Sequence, residues 1–213
     1  MMHSLKYYSG DKIIGNKAKN LIELKKNNIP VPDGFVIPTN SNESLDLEKI
    51  RTLNPPYSVR SSSTNEDTKG NSNAGKYKSI LNVEYDDLSD AIQEVWDSKD
   101  NSPMGIIIQE MHKFDVGGVM YVGTDYADVV IEVTENGPQN VVDGTVTPET
   151  ILIDDGIITR ENEQGLLSDL MVKILSQVGY NVVSIFNSPQ DIEWGINEYG
   201  VTILQSRPTV DFS

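Results

Sequence analysis

The chain has 213 residues, 38% of them hydrophobic, with 17 Lys/Arg against 32 Asp/Glu and no cysteine. A net charge of −15 repels phosphate backbones and argues against a nucleic-acid binder, and the missing cysteines exclude disulfides and thiolate metal sites. No apolar run reaches the roughly 18–20 residues of a membrane span, and the opening MMHSLKYYSG has no apolar leader, so a cytoplasmic protein away from membranes is expected.

The charge is unevenly divided. Residues 1–113 carry 14 Lys/Arg and 16 Asp/Glu, a net of −2, whereas residues 114–213 carry three cations (Arg160, Lys173, Arg207) and 16 Asp/Glu, a net of −13. Such asymmetry suggests a division of labour. The length fits one domain with two lobes: an N-terminal lobe over 1–103 carrying the Lys/Arg, and an acidic C-terminal lobe over 104–213.

In chain order, residues 16–28 read as a helix with Ala18, Leu21 and Ile22 on one face, stopped by Pro30 and Pro32. Gly34–Ile37 reads as a strand, and so does Tyr57–Arg60 after Pro55-Pro56. The polar stretch 61–76 reads as a loop, and Ile80–Val83 as a strand. Leu88, Ala91, Ile92, Val95 and Trp96 give a helix with Asp86 or Asp87 as N-cap. Met104–Met111 is a continuous apolar strand. Strands are expected near 117–122, 127–133, 140–143 and 150–153. A second helix runs from Leu167 to Val178 and closes at Gly179, and two last strands lie near 190–196 and 200–206. Helices come early and strands late, which suggests an α+β fold.

Four groups of residues could carry chemistry. Gly15-Asn16-Lys17-Ala18 opens a helix, where a close backbone and a point charge suit an anion. Arg60 closes a strand and precedes three serines, offering a planar fork and hydroxyls to phosphate. Asn71 to Lys78, around Gly75, is a small-residue loop whose amides could cradle phosphates. Asp191 and Glu193 share one strand face, as do Gln205 and Arg207 on the next strand. A hairpin around Asn197–Gly200 would bring Glu193 near Gln205, two hard oxygen ligands that suit Mg²⁺ beside ATP phosphates. A structural salt bridge is the alternative reading of this last group.

Read in order, these segments resemble the nucleotide-binding domain of the phosphoenolpyruvate synthase and pyruvate phosphate dikinase family, which includes rifampicin phosphotransferases. The resemblance rests on Gly15-Asn-Lys17-Ala18-Lys-Asn20-Leu21-Ile-Glu23-Leu24, Pro30-Val31-Pro32-Asp-Gly34-Phe35-Val36-Ile37 and Val59-Arg60-Ser61-Ser62-Ser-Thr64-Asn-Glu66-Asp67. It continues through Ala74-Gly75-Lys-Tyr77, Gln109-Glu110-Met111, Val142-Asp-Gly144-Thr-Val146-Thr147-Pro148-Glu149, Asp191-Ile-Glu193-Trp194 and Leu204-Gln205-Ser-Arg207-Pro208. It implies an ATP-grasp fold: α+β, two lobes with mixed or antiparallel sheets, and ATP in the cleft between them. By carry-over, Lys17 and Arg60 contact phosphates, Gly75 belongs to the loop over them, and Gln109, Glu110 and Met111 line the adenine pocket through backbone groups. Glu193 and Gln205 hold Mg²⁺ and Arg207 contacts the terminal phosphate, so Lys17, Arg60 and Arg207 form the catalytic set.

The resemblance also implies splitting of ATP to AMP and orthophosphate, with the β-phosphate passed to a histidine and on to a substrate. His3 and His112 do not lie in the family's phosphate-carrying motif, and Val122-Gly-Thr-Asp-Tyr126 stands where the family has an arginine-bearing loop. A shortened stand-alone domain is therefore expected. Its function is an ATP-dependent phosphotransferase of dikinase type, acting on a small molecule or on a histidine of a separate protein. The alternative is a non-catalytic nucleotide-binding module that senses ATP or docks on a partner.

Overall fold

The computed structural model describes residues 2–8, 10, 12–39, 46–65, 78–99, 102–124 and 128–209. It divides into two compact units, Met1–Lys26 with Pro32–His112, and Asn27–Val31 with Lys113–Ser213.

The first unit is built on five antiparallel strands in the order β1-β2-β5-β3-β4. They are β1 (His3–Ser4), β2 (Gly34–Ile37), β3 (Tyr57–Ser63), β4 (Ser79–Val83) and β5 (Met104–Glu110). Two helices, α1 (Asn16–Lys26) and α2 (Leu88–Asp97), pack on them. β5 pairs with β2 and β3 and is buried from Met104 to Gln109, which is why its sequence is a continuous apolar run. One sheet face carries Tyr57, Val59, Ile106 and Ile108 against Leu88, Ala91, Ile92 and Val95 of α2. Each buried Val, Leu or Ile side chain among them contributes roughly 1.5–3 kcal/mol. Ala18, Leu21 and Leu24 of α1 are fully buried, and α1 packs on β3 and β5.

Three expectations change here. The boundary set at 103/104 falls instead after His112, because β5 bonds on both sides to strands of the first unit. Ser61–Ser63, expected in a loop, extend β3: all three are fully buried and pair with Met104–Ile106. Asp87 does precede α2, but its side chain makes no capping bond, and Tyr85–Asp87 form a 3-10 turn.

The second unit holds six antiparallel strands in the order β11-β10-β6-β7-β8-β9. They are β6 (Val116–Val122), β7 (Asp128–Glu135), β8 (Glu149–Asp154), β9 (Ile157–Glu161), β10 (Gln190–Asn197) and β11 (Gly200–Pro208), with a short α3 (Gln139–Val142) and a long α4 (Asp169–Phe186). α4 packs on β6, β10 and β11. Val172, Leu175, Val182 and Val183 of the helix are buried, as are Met120, Val122, Ile131, Ile192 and Trp194 of the sheet. Ser168 caps α4, its hydroxyl accepting the Met171 N–H at 3.3 Å.

The helix does not close at Gly179. A Cβ there would stand 2.7 Å from Val122 and 3.0 Å from Met120, so this glycine lets the helix approach β6. The helix ends at Asn187, which takes the left-handed conformation (φ 49°). Residues 140–143, expected as a strand, belong instead to α3 and the turn after it. No strand was expected at β9; it pairs with β8 through the tight Asp155-Gly156 turn, where φ is 45° and 78°.

Candidate functional site

The first unit gathers residues expected to contact phosphate around the start of α1. Gly15 precedes the helix with φ 78°, and an ideal Cβ would lie 1.9 Å from the Ser62 carbonyl oxygen. No other residue fits without displacing β3. The Ala18 N–H donates to Ser62 Oγ at 3.0 Å, and Asn16 Nδ2 donates to the Thr64 carbonyl at 3.0 Å. Gly15–Ala18 and Arg60–Thr64, 44 or more residues apart in sequence, are thus stitched together. Lys17 is 5% exposed, so its charge is not an ordinary solvated surface charge. Arg60 and Ser62 alternate onto the same face of β3. Gly75 lies outside the described residues.

The segment expected to line an adenine pocket ends the first unit. The Glu110 N–H donates to the Asp33 carbonyl (3.0 Å) and the Met111 N–H to the Pro56 carbonyl (2.9 Å). Gln109 is buried, and its Nε2 donates to the Pro32 carbonyl at 3.2 Å. Glu110 Oε1 accepts both the N–H and the Nδ2 of Asn54, at 2.8 and 3.0 Å. His112 Nε2 lies 3.6 Å from Glu110 Oε2. The amides of Glu110 and Met111 are therefore spent inside the unit, and any base recognition here falls to carbonyl oxygens or to the residues that follow.

The second unit assembles the other set on its terminal hairpin. Glu193 is the register partner of Gln205, and Asp191 of Arg207. Arg207 Nε and Nη2 both donate to Asp191 Oδ2, at 2.8 and 2.6 Å, with both side chains about 30% exposed. The rival salt-bridge reading thus holds for Asp191 with Arg207. The register shifts by one between Glu193 and Trp194, leaving Leu204 as the extra residue. Without that bulge Ile203 and Gln205 would share a face; with it, Ile203 sits opposite Trp194 and Gln205 opposite Glu193.

Pairing continues across the sheet from Glu193 to Val119 of β6 and on to Glu132 of β7. Glu132 is on the same face but two strand spacings from Glu193, roughly 9.5 Å. Glu193 and Gln205 offer two adjacent hard oxygens, which fit Mg²⁺ when phosphates supply the remaining ligands. Among the described residues, no group of three or more His, Asp or Glu gathers into a closed metal cage.

The opposite face of the same sheet holds a second arginine cluster that the sequence reading did not single out. Glu149 is fully buried, accepts Arg160 Nη1 at 2.7 Å, and takes the Gln164 and Leu166 N–H groups on Oε2 at 3.0 and 3.1 Å. Arg160 Nη2 also reaches Asp169 at 2.8 Å. Burial alone raises the Glu149 pKa, but the two backbone N–H bonds and Arg160 outweigh it and hold the carboxyl below its ordinary range.

Comparison with known proteins gives the family and the fold. The family described as pyruvate phosphate dikinase, AMP/ATP-binding domain matches residues 43–163, more than half of the 213. That span includes Arg60 and Gln109–Met111 but neither Lys17 nor the 191–208 hairpin. A Bacillus subtilis protein named "Uncharacterized phosphotransferase YvkC" is 27% identical over 280 positions, covering 93% of this chain and 34% of its own length. A Methanothermobacter thermautotrophicus protein named "Probable phosphoenolpyruvate synthase" is 26% identical, with 92% and 44% covered. A rifampicin phosphotransferase of a Streptomyces species is 24% identical, with 70% and 25% covered.

The chain thus spans less than half the length of these relatives. It is also shorter inside the match: 93% of 213 is about 198, so about 82 of the 280 aligned positions in the Bacillus protein have no residue here. Among solved structures, D-alanine–D-alanine ligase from Bacillus anthracis aligns at TM-score 0.59 and 12% identity, over 91% of this chain and 56% of the ligase. PH1788 from Pyrococcus horikoshii aligns at 0.61 and 14%, over 92% and 90%. The fold is ATP-grasp, and the chain belongs to the pyruvate phosphate dikinase AMP/ATP-binding domain family.

Proposed function

We propose that the chain binds Mg-ATP and serves an ATP-dependent phosphotransferase of dikinase type, passing a phosphoryl group to a small molecule or to a histidine on a separate protein. The observation that carries this reading is the terminal hairpin, which pairs Glu193 with Gln205 and Asp191 with Arg207 and so puts all four on a single face. A hairpin that needed only a salt bridge would have no use for the adjoining carboxylate–amide pair.

In this reading Lys17 and Arg60 bind phosphate oxygens, and Arg207, oriented by Asp191, meets the charge that develops on the transferring group. Glu193 and Gln205 would hold Mg²⁺, which when bound neutralises phosphate charge. The protein's own contribution is positioning and charge, with no covalent step on a side chain of this chain. Gln109–Met111 border the base, and Gly75 belongs to the loop over the phosphates. The reading also has the work done in the cytoplasm.

A second reading, a nucleotide-binding module without turnover, is favoured by the roughly 80 aligned positions absent from within the matched span. Chromatography of nucleotides after incubation with Mg-ATP separates the two. AMP with orthophosphate is expected. ADP would replace dikinase by simple kinase chemistry, and ATP that binds but stays intact would favour the module. ATP that neither binds nor turns over would contradict both.

A further inference from the structure

We propose that Ser62 is a positioning residue, one that sets Lys17 against Arg60 by capping α1 from another strand. The inference rests on the reading of Lys17 as a phosphate contact and goes beyond it.

The Lys19 N–H donates to the Gly15 carbonyl at 3.3 Å, so Gly15 occupies the N-cap position of α1. A capping residue ordinarily offers a side-chain oxygen to the third helical N–H, here that of Ala18. Gly15 has no side chain, and its surroundings forbid one, since the Ser62 carbonyl oxygen stands 1.9 Å from where Cβ would be. The missing oxygen comes from Ser62 Oγ, 44 residues further along, at 3.0 Å from the Ala18 nitrogen. Ser62 is fully buried, so water does not compete for this bond. Asn16 Nδ2 adds a second tie to the Thr64 carbonyl at 3.0 Å.

A cap supplied from within the helix would orient only the helix. A cap supplied from β3 also fixes the first turn, which carries Lys17, against the strand that carries Arg60 two residues from Ser62. The glycine and the serine are therefore one device. The glycine admits the strand, and the serine replaces the cap that the glycine cannot provide.

Calorimetric titration of the full chain with ATP and with adenosine tests this. Ser62→Ala is expected to weaken ATP binding roughly 3- to 30-fold, the span of a lost cap, while adenosine binding stays within about twofold. Asn16→Ala, a half-buried and milder change, is expected to show the same pattern at smaller size. In a Lys17→Met background, Ser62→Ala should produce no further loss of ATP affinity, because the residue it positions is gone.

An equal loss for adenosine, or the same loss with and without Lys17, would make Ser62 merely structural and overturn the proposal. Unchanged ATP affinity in Ser62→Ala and Asn16→Ala, with Lys17→Met weakened, would overturn it while leaving the phosphate contact intact. Unchanged affinity in Lys17→Met would overturn the phosphate contact and this inference together.

Discussion

Two arginines of the second unit's sheet, Arg160 and Arg207, both bind carboxylates of a neighbouring strand, yet they sit on opposite faces and in different surroundings. Arg160 is 13% exposed in its side chain and ties the fully buried Glu149 to Asp169. Arg207 is 31% exposed and holds Asp191, itself 29% exposed. Two backbone N–H groups complete the first cluster, so it closes on itself and pins residues 164–166 to β8. The second lies beside Glu193 and Gln205 on a bulged hairpin at the sheet edge, where a guanidinium can also serve a ligand. Like pairs can thus differ in role: the buried one is a stability element, whereas the half-exposed one belongs to the proposed site.

Breaking each pair should give opposite signatures. Glu149→Ala leaves the largely buried Arg160 with one partner and removes the acceptor of two half-buried backbone N–H bonds, so it should cost about 3–5 kcal/mol in urea unfolding. ATP affinity of the protein that remains folded should be unchanged. Arg207→Met should lower phosphoryl-transfer rate by roughly 100-fold, the size expected for one lost charge-stabilising donor. Its unfolding free energy should move by no more than about 1 kcal/mol, as for exposed pairs. Exchanged signatures would reverse the assignment of the two arginines.

Gly179→Ala offers a control on the same face as Glu149. Overpacking against Val122 and Met120 costs about 1–3 kcal/mol, and better helix propensity returns up to about 1, so a net loss near 1 kcal/mol is expected with ATP binding intact.

The smallest effect is in pH. The Glu149 carboxyl is held below its ordinary value of 4.5, so its stabilisation is fully present above that value. It is lost as pH falls through the lower folded-state pKa. Melting temperatures measured between pH 6 and 3 should therefore fall less steeply in Glu149→Gln than in the wild type, and parallel curves would remove Glu149 from the acid response.

How much was legible in the sequence follows from what each residue had to do. The terminal hairpin was readable from its alternation and the Asn197–Gly200 turn, but the register that the turn sets would pair Glu193 with Leu204, and Glu193 faces Gln205 only because of a bulge. The bulge at Leu204 was not readable, since nothing local marks the extra residue that lets Ile203 and Gln205 face opposite ways. The serines after Arg60 read as loop because they are polar; buried pairing with β5 and the bond to Ala18 make Ser62 part of a strand and a cap.

Gly179 read as a helix stop because glycine usually punctuates a helix, but here it makes room for Met120 and Val122. β9 was missed although Asp155-Gly156 is a strong hairpin signal, because the strand after it is short and half exposed. Glu149 stood in a family motif and could not be told from a site residue until its enclosure with Arg160 was visible.

The measurement that bears most directly on the proposed function is calorimetric titration of the full chain with ATP, with and without Mg²⁺, for the wild type and for Glu193→Ala. Mg²⁺-dependent binding is expected in the wild type, together with a raised melting temperature, and the Mg²⁺-dependent part should vanish in the folded variant. Absence of ATP binding at saturating Mg-ATP, or an identical Mg²⁺ response in Glu193→Ala, would contradict it.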